Sequence, residues 1–123
     1  MKLQGFFGRA RRESKLSSLR IQVGAVVAKG GSVISFGHNQ DKSHPMVNTF
    51  SLHAEAAAIL ARRYHTGSLN GATIWVYRET SDGRPAMAKP CKDCLRLIIA
   101  SNIKKINYST DEPPYYYETI YLR

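Results

Sequence analysis

Two short apolar runs split by a glycine pair open the regular part of the chain. Val23-Gly24-Ala25-Val26-Val27-Ala28 reads as a strand, Lys29-Gly30-Gly31-Ser32 as a turn and Val33-Ile34-Ser35-Phe36-Gly37 as a second strand, so a β-hairpin is predicted. Before it, Leu16 and Leu19 join Arg9, Arg11, Arg12 and Lys15 in a basic amphipathic helix over about 9–19. Residues 38–50 are polar, contain Pro45 and read as a loop. An Ala- and Leu-rich helix follows over 52–64, with Ser51 as a cap and Gly67 and Asn70-Gly71 ending it. Ala72-Thr73-Ile74-Trp75-Val76-Tyr77 has strand composition, 79–89 reads as a loop and 91–101 as a helix. Residues 105–109 form a further strand, Pro113-Pro114 interrupts the chain, and 115–122 is a short closing helix or strand. A hairpin followed by strand–helix–strand units predicts a three-layer α/β/α sandwich around a central mixed sheet of four to five strands.

The length of 123 residues and 43% hydrophobic content suit a single domain over 1–123, with its basic helical segment at about 1–20. No internal repeat, low-complexity tract or long linker divides it. No apolar run is long enough for a membrane span, and no apolar stretch with a small-residue cleavage site follows the basic start. A cytoplasmic protein with no membrane partner is therefore expected. The net charge is +9, from 18 Lys+Arg against 9 Asp+Glu, which favours anionic partners such as phosphorylated small molecules or nucleic acid. Charge alone does not separate these from simple solubility.

The two cysteines, Cys91 and Cys94, are too close in sequence to staple a fold. That leaves a redox pair or half of a metal site. His53 supplies an imidazole, and imidazole with two thiolates suits zinc rather than magnesium or calcium. Catalytic zinc takes three protein ligands and keeps a fourth position for water. Glu55, two residues after His53, can approach that water without binding the metal. His53 and Cys91 both begin predicted helices, whose N-terminal partial charge and free N–H groups stabilise thiolates, and Pro90 fixes the entry to the second. A lone C-x-x-C, a lone His or a lone Glu would each have a bland explanation; His38, His44 and His65 read as caps or surface residues. A redox pair would want a strand before it and no nearby H-x-E.

His53-Ala54-Glu55 with Pro90-Cys91-Lys92-Asp93-Cys94 matches the H-x-E…P-C-x-x-C pattern of zinc nucleobase deaminases. The chain resembles the cytidine and deoxycytidylate deaminase superfamily over roughly residues 20–110. Val23-Gly24-Ala25-Val26-Val27, Gly37-His38-Asn39 and Gly71-Ala72-Thr73-Ile74-Trp75-Val76 fall in the family's order around the two metal motifs. The resemblance implies one Zn2+ per chain on His53, Cys91 and Cys94. It implies Glu55 as the catalytic proton shuttle, Asn39 on the sugar, and Ala54 and Pro90 at the edge of the base. Free-nucleoside members have Cys where His53 stands, so the implied substrate is cytosine in a (deoxy)cytidine nucleotide, released as uracil and ammonia. The alternative is editing of a single-stranded DNA or RNA cytosine or a tRNA adenosine, with single-stranded nucleic acid as partner. A silent zinc-binding interaction module is the reading from another class, and Glu55 counts against it.

Arg78, Arg84 and Lys89, in or beside the 79–89 loop, are candidates for a phosphate. Tyr115-Tyr116-Tyr117 suits either stacking on bases or anchoring of the tail, the latter favoured because tails need anchoring. A homo-oligomer is expected, since a partner subunit would cover a sheet edge or face left open by a short C-terminal layer.

Overall fold

The computed structural model describes residues 3–41, 52–62 and 69–122. Helix α1 (Phe7–Ser14) is followed by β1 (Val23–Lys29), β2 (Ser32–His38), α2 (Ala54–Leu60), β3 (Thr73–Glu79), β4 (Pro85–Ala86), α3 (Lys92–Ala100), β5 (Lys105–Ser109) and β6 (Tyr117–Tyr121). The sheet runs β2-β1-β3-β5-β6, with the two-residue β4 added to β3. All pairings are antiparallel except β3 with β5, which the α3 crossover makes parallel. The architecture is the α/β sandwich with a mixed sheet that the element order implied, enlarged to six strands.

Strand alternation divides the sheet between its two helical layers. Ala25, Val27, Ile74, Val76 and Ile106 face α2 and α3, where Ala54, Ala58, Ile59 and Ile98 complete the larger core. Val26 and Tyr77 face α1 and pack with Phe7 and Ala10. Trp75 closes that side, with Phe7 edge-on at 5.0 Å. Both helical layers approach the sheet so closely that a side chain would not fit at the contact. A Cβ on Gly24 would lie 2.1 Å from the Ala10 carbonyl oxygen, and one on Gly37 would lie 2.6 Å from the Ala58 nitrogen. These two glycines let helix backbone rest directly on strand backbone.

Several boundaries differ from the sequence-based expectation. The N-terminal helix ends at Ser14, four residues after Ala10, because its buried face is Phe7, Ala10 and Ser14 rather than Leu16, which is 65% exposed. Residues 85–86 of the expected loop add a short strand to β3. The second helix starts at Ala54, since Leu52 is in a bridge with Gln40. The closing segment resolves to a strand, antiparallel to β5. Tyr117 packs 5.4 Å from Phe7, as tail anchoring requires, while Tyr115 is 68% exposed. His38 is partly exposed, and its Nδ1 is 2.8 Å from the buried Glu13 carboxylate. The helix ends at Leu60, with Ala61 as its C-cap, short of the expected 64; His44, His65, Pro45, the Ser51 cap and Gly67 lie outside the described residues.

Candidate active site

Two helix starts converge at one end of the sheet. His53 immediately precedes α2 and Cys91 immediately precedes α3, and both have extended backbone (ψ 156° and 171°). Each gives its carbonyl to the first helical hydrogen bond, from Ala57 at 2.9 Å and from Leu95 at 2.8 Å. Neither side chain is spent on capping its helix, so both are free to meet Cys94, one turn into α3. His53 Nδ1 lies 3.3 Å from Cys94 Sγ and 3.6 Å from Cys91 Sγ. The three donor atoms all lie within 4.8 Å of one another. Zinc bond lengths and tetrahedral angles set neighbouring sulfur and nitrogen ligands about 3.6 Å apart, so the spacing and chemistry of this trio fit one zinc ion.

The electrostatics of the trio call for a cation. Burial pushes the Cys94 thiol up, and the charges of Glu55 and Cys91 add to the effect. A thiol so placed becomes a thiolate only when a positive ion shares the site, which couples metal uptake to proton release. Glu55 follows in the first turn of α2 and is 6% exposed. Burial raises its carboxyl to about 7, partly offset by a backbone hydrogen bond. The value suits a group that both takes and gives protons near neutrality.

A cavity of about 250 Å³ opens beside these groups. His53, Ala54, Glu55 and Cys91 line one part of it. Ile21, Val23 and Asn39 line a second part. Arg78, Met87, Ala88 and Lys89 line the third. Pro90 is buried beside Cys91 and is not among the lining residues. Asn39 is held firmly: its Oδ1 accepts from Val23 N–H at 2.9 Å and its Nδ2 donates to the Ile21 carbonyl at 2.6 Å. The walls formed by Ile21 and Met87 were not foreseen, because an isolated apolar residue in a loop carries no periodic signal. Their exposure, 52% and 43%, marks them only once the fold is known.

The arrangement defines a hydrolytic metal centre, and comparison with known proteins agrees. The family model for the cytidine and deoxycytidylate deaminase zinc-binding region matches residues 2–110. The chain belongs to this family and is a zinc-dependent deaminase. Among solved structures it is similar to the apo form of the dCMP deaminase from cyanophage S-TIM5, with 28% identity and a TM-score of 0.66 over 85% of this chain and 79% of that one. The same phage enzyme in complex with dCMP and dUMP aligns at 26% identity and a TM-score of 0.66, over 85% and 78% of the two chains. Cytidine deaminase from Burkholderia pseudomallei shares the fold, with a TM-score of 0.71 over 98% and 93% of the chains at 17% identity. No curated protein sequence matches the chain significantly. Among the described residues, no helix is long and apolar enough to cross a membrane.

Proposed function

We propose that the protein hydrolyses the exocyclic amine of cytosine in a (deoxy)cytidine nucleotide, giving the uracil nucleotide and ammonia. The observation that carries this reading is a His53–Cys91–Cys94 trio of zinc spacing with the buried Glu55 carboxyl lining the same cavity. His53 Nδ1, Cys91 Sγ and Cys94 Sγ would hold the zinc ion, which would supply a site that lowers the pKa of a water toward neutrality. Glu55 takes the proton from the attacking water as its oxygen bonds to C4 of the base. Glu55 then returns a proton to the ring nitrogen N3. As the C4–N4 bond breaks, Glu55 passes the second water proton to the departing amine, which leaves as ammonia. One carboxyl serves each transfer because it alternates between base and acid. The Ala54 main chain and the Pro90–Cys91 entry to α3 place the base edge, and Asn39 contacts the sugar with the hydrogen-bonding capacity left on its amide. An unchanged KM in Asn39→Ala removes that contact.

The basic N-terminal segment favours the mononucleotide over a polynucleotide. Arg11 and Lys15 are paired to Glu79, and Arg9 lies 4.5 Å from the Phe36 ring centre, so half of that segment's cations are engaged within the fold. The test is ammonia release by zinc-loaded protein from dCMP, cytidine, a cytosine-containing single strand and an adenosine-containing tRNA hairpin. Fastest release from dCMP supports the reading. Preference for either polymer overturns the mononucleotide assignment, and no release from any substrate moves the protein to a silent zinc module. A homo-oligomer belongs to the same reading: among the described residues β6 pairs only with β5 and leaves an edge beside Tyr121, which is 73% exposed. A one-chain mass in light scattering at micromolar concentration overturns it.

A further inference from the structure

The segment between α1 and β1 builds one wall of the cavity. After α1 the chain crosses residues 15–22 as an irregular strap before β1 begins at Val23. Among the described residues of this strap, Ser17 alone is buried. It is 4% exposed, while its apolar neighbour Leu16 is 65% exposed. Turning a serine inward and a leucine outward gives up hydrophobic stabilisation, and a buried hydroxyl needs partners. Ser17 Oγ has two: it donates to the Asn39 carbonyl at 2.9 Å and accepts the Leu19 N–H at 3.2 Å. One residue before Asn39, His38 meets Glu13 in the last turn of α1. Helix and strap thus grip two consecutive residues, His38 and Asn39.

The same strap closes a ring around the Asn39 side chain. Gln22 Nε2 donates back to the Ser17 carbonyl at 2.7 Å, which ties the two ends of the strap together. Asn39 N–H donates to the Val23 carbonyl at 3.1 Å, so main chain and side chain both hold the start of β1. A side-chain amide can be turned end for end unless its neighbours differ in kind. Here one neighbour is a donor, Val23 N–H, and the other an acceptor, the Ile21 carbonyl. Only one orientation satisfies both. It leaves one N–H of Nδ2 and one lone pair of Oδ1 for a ligand, and the same bonds hold Ile21 in the cavity wall.

We propose that Ser17 is a positioning residue for substrate binding: acting through Asn39, its hydroxyl sets the amide that meets the sugar. The proposal rests on the reading of Asn39 as the sugar contact. His53, Glu55, Cys91 and Cys94 are placed by the starts of α2 and α3 instead. Loss of the Ser17 hydroxyl therefore weakens binding without altering the chemical step, which raises KM and leaves kcat. A pentose is common to nucleotide, nucleoside and polynucleotide, so the effect does not depend on which of these is the substrate.

The test is a double-mutant cycle on zinc-loaded protein, run with whichever of the four substrates above releases ammonia fastest. Asn39→Ala is expected to raise KM about 10-fold and Ser17→Ala about 5-fold, the scale of one hydrogen bond, with kcat within about 2-fold of the original. In the double variant KM matches that of Asn39→Ala alone, because Ser17 acts through Asn39. Gln22→Ala loosens the ring from its half-buried side and raises KM about 2-fold. Ser18→Ala, beside Ser17 but exposed, leaves KM unchanged. An unchanged KM in Asn39→Ala removes the sugar contact and the role of Ser17 with it. A KM raised in Asn39→Ala but not in Ser17→Ala overturns the positioning role while the sugar contact stands. Losses that multiply in the double variant, or a kcat that falls as far as KM rises in Ser17→Ala, also overturn it, since either marks Ser17 as a residue of general stability.

Discussion

Glu55 lies on the face of the sheet covered by α2 and α3, and Glu79 on the face covered by α1. Both side chains are nearly out of water: Glu55 is 6% exposed and the Glu79 side chain 5%. Burial raises both carboxyls, but only Glu79 is given partners that reverse the shift. Against its burial stand hydrogen bonds from Lys15, Arg11 and Tyr77, and together they hold it down at about 2. Glu55 meets desolvation with little relief and stands near 7. The same residue type therefore does two jobs. On the α1 face a charge with three partners ties helix to strand, and on the other face a buried carboxyl with no cationic partner among the described residues stands beside the candidate metal trio.

The largest test of this contrast removes each group that makes the second face chemical. Glu55→Ala is expected to keep one zinc per chain and lose about 10³-fold or more in kcat. Elemental analysis and ammonia release on the same sample check it, and near-normal turnover with zinc in place ends the role given to Glu55. Cys94→Ala is expected to lose both zinc and activity, because one imidazole and one thiolate leave the site short of the three ligands that a catalytic zinc takes. Full metal content in that variant contradicts the ligand set.

The α2–α3 face was the more legible one in the sequence. Zinc ligands are chemically unusual residues, and their helix-start positions follow from Pro90 and from the alanine-rich run after His53. The hairpin, β3 and β5 were legible because β-branched and aromatic residues cluster between turn residues. The α1 face was not. Nothing in local sequence shows that Glu79 meets Arg11 and Lys15, more than sixty positions away. Those cations looked like a surface for an anionic partner, and the fold uses two of them internally. The short β4 escaped detection because it contains Pro85, and a two-residue pairing leaves no periodicity. Ser17 escaped for another reason: its bond to Asn39 spans 22 positions, and a serine just past a helix is ordinary in sequence.

The two close backbone approaches allow the faces to be perturbed separately. Gly24→Ala drives a methyl into the Ala10 carbonyl and the Ser14 nitrogen of α1, both backbone atoms that cannot swing away. A stability loss of about 3 kcal/mol is expected in urea unfolding, with zinc content retained. Gly37→Ala presses on Ala57 and Ala58 of α2 instead. Because α2 carries His53 and Glu55 at its start, this variant is expected to lose kcat more than Gly24→Ala does. Equal kinetic losses in the two would mean that the faces are not separable.

Glu79→Gln probes the structural carboxyl directly. Its folded value lies below its ordinary 4.5, so its stabilisation is fully present above pH 4.5 and is lost as pH falls toward 2. The full shift from 4.5 to about 2 is reduced by solvent screening, since the Arg11 and Lys15 side chains are 47% and 46% exposed. About 2 kcal/mol is the expected difference between the original protein and Glu79→Gln at pH 7. The gap should close between pH 4.5 and 2, and a gap that stays constant through this range would mean that Glu79 acts through packing rather than charge.

The smallest effects belong to the two cations taken singly. Arg11→Ala or Lys15→Ala removes one half-exposed partner and leaves Glu79 with the other and with Tyr77. Each alone is expected to cost less than about 1 kcal/mol, the usual range for pairs open to solvent. The double variant strips both cations from a carboxylate that remains buried, so its cost should exceed the sum of the singles. In 1 M salt the single losses should shrink further, because the half-exposed ends of the pairs are screened. A double variant whose loss is merely additive would show that Lys15 and Arg11 act independently. Glu79 would then be held by Tyr77 and its place in β3, and the contrast with Glu55 would rest on burial geometry instead of charge.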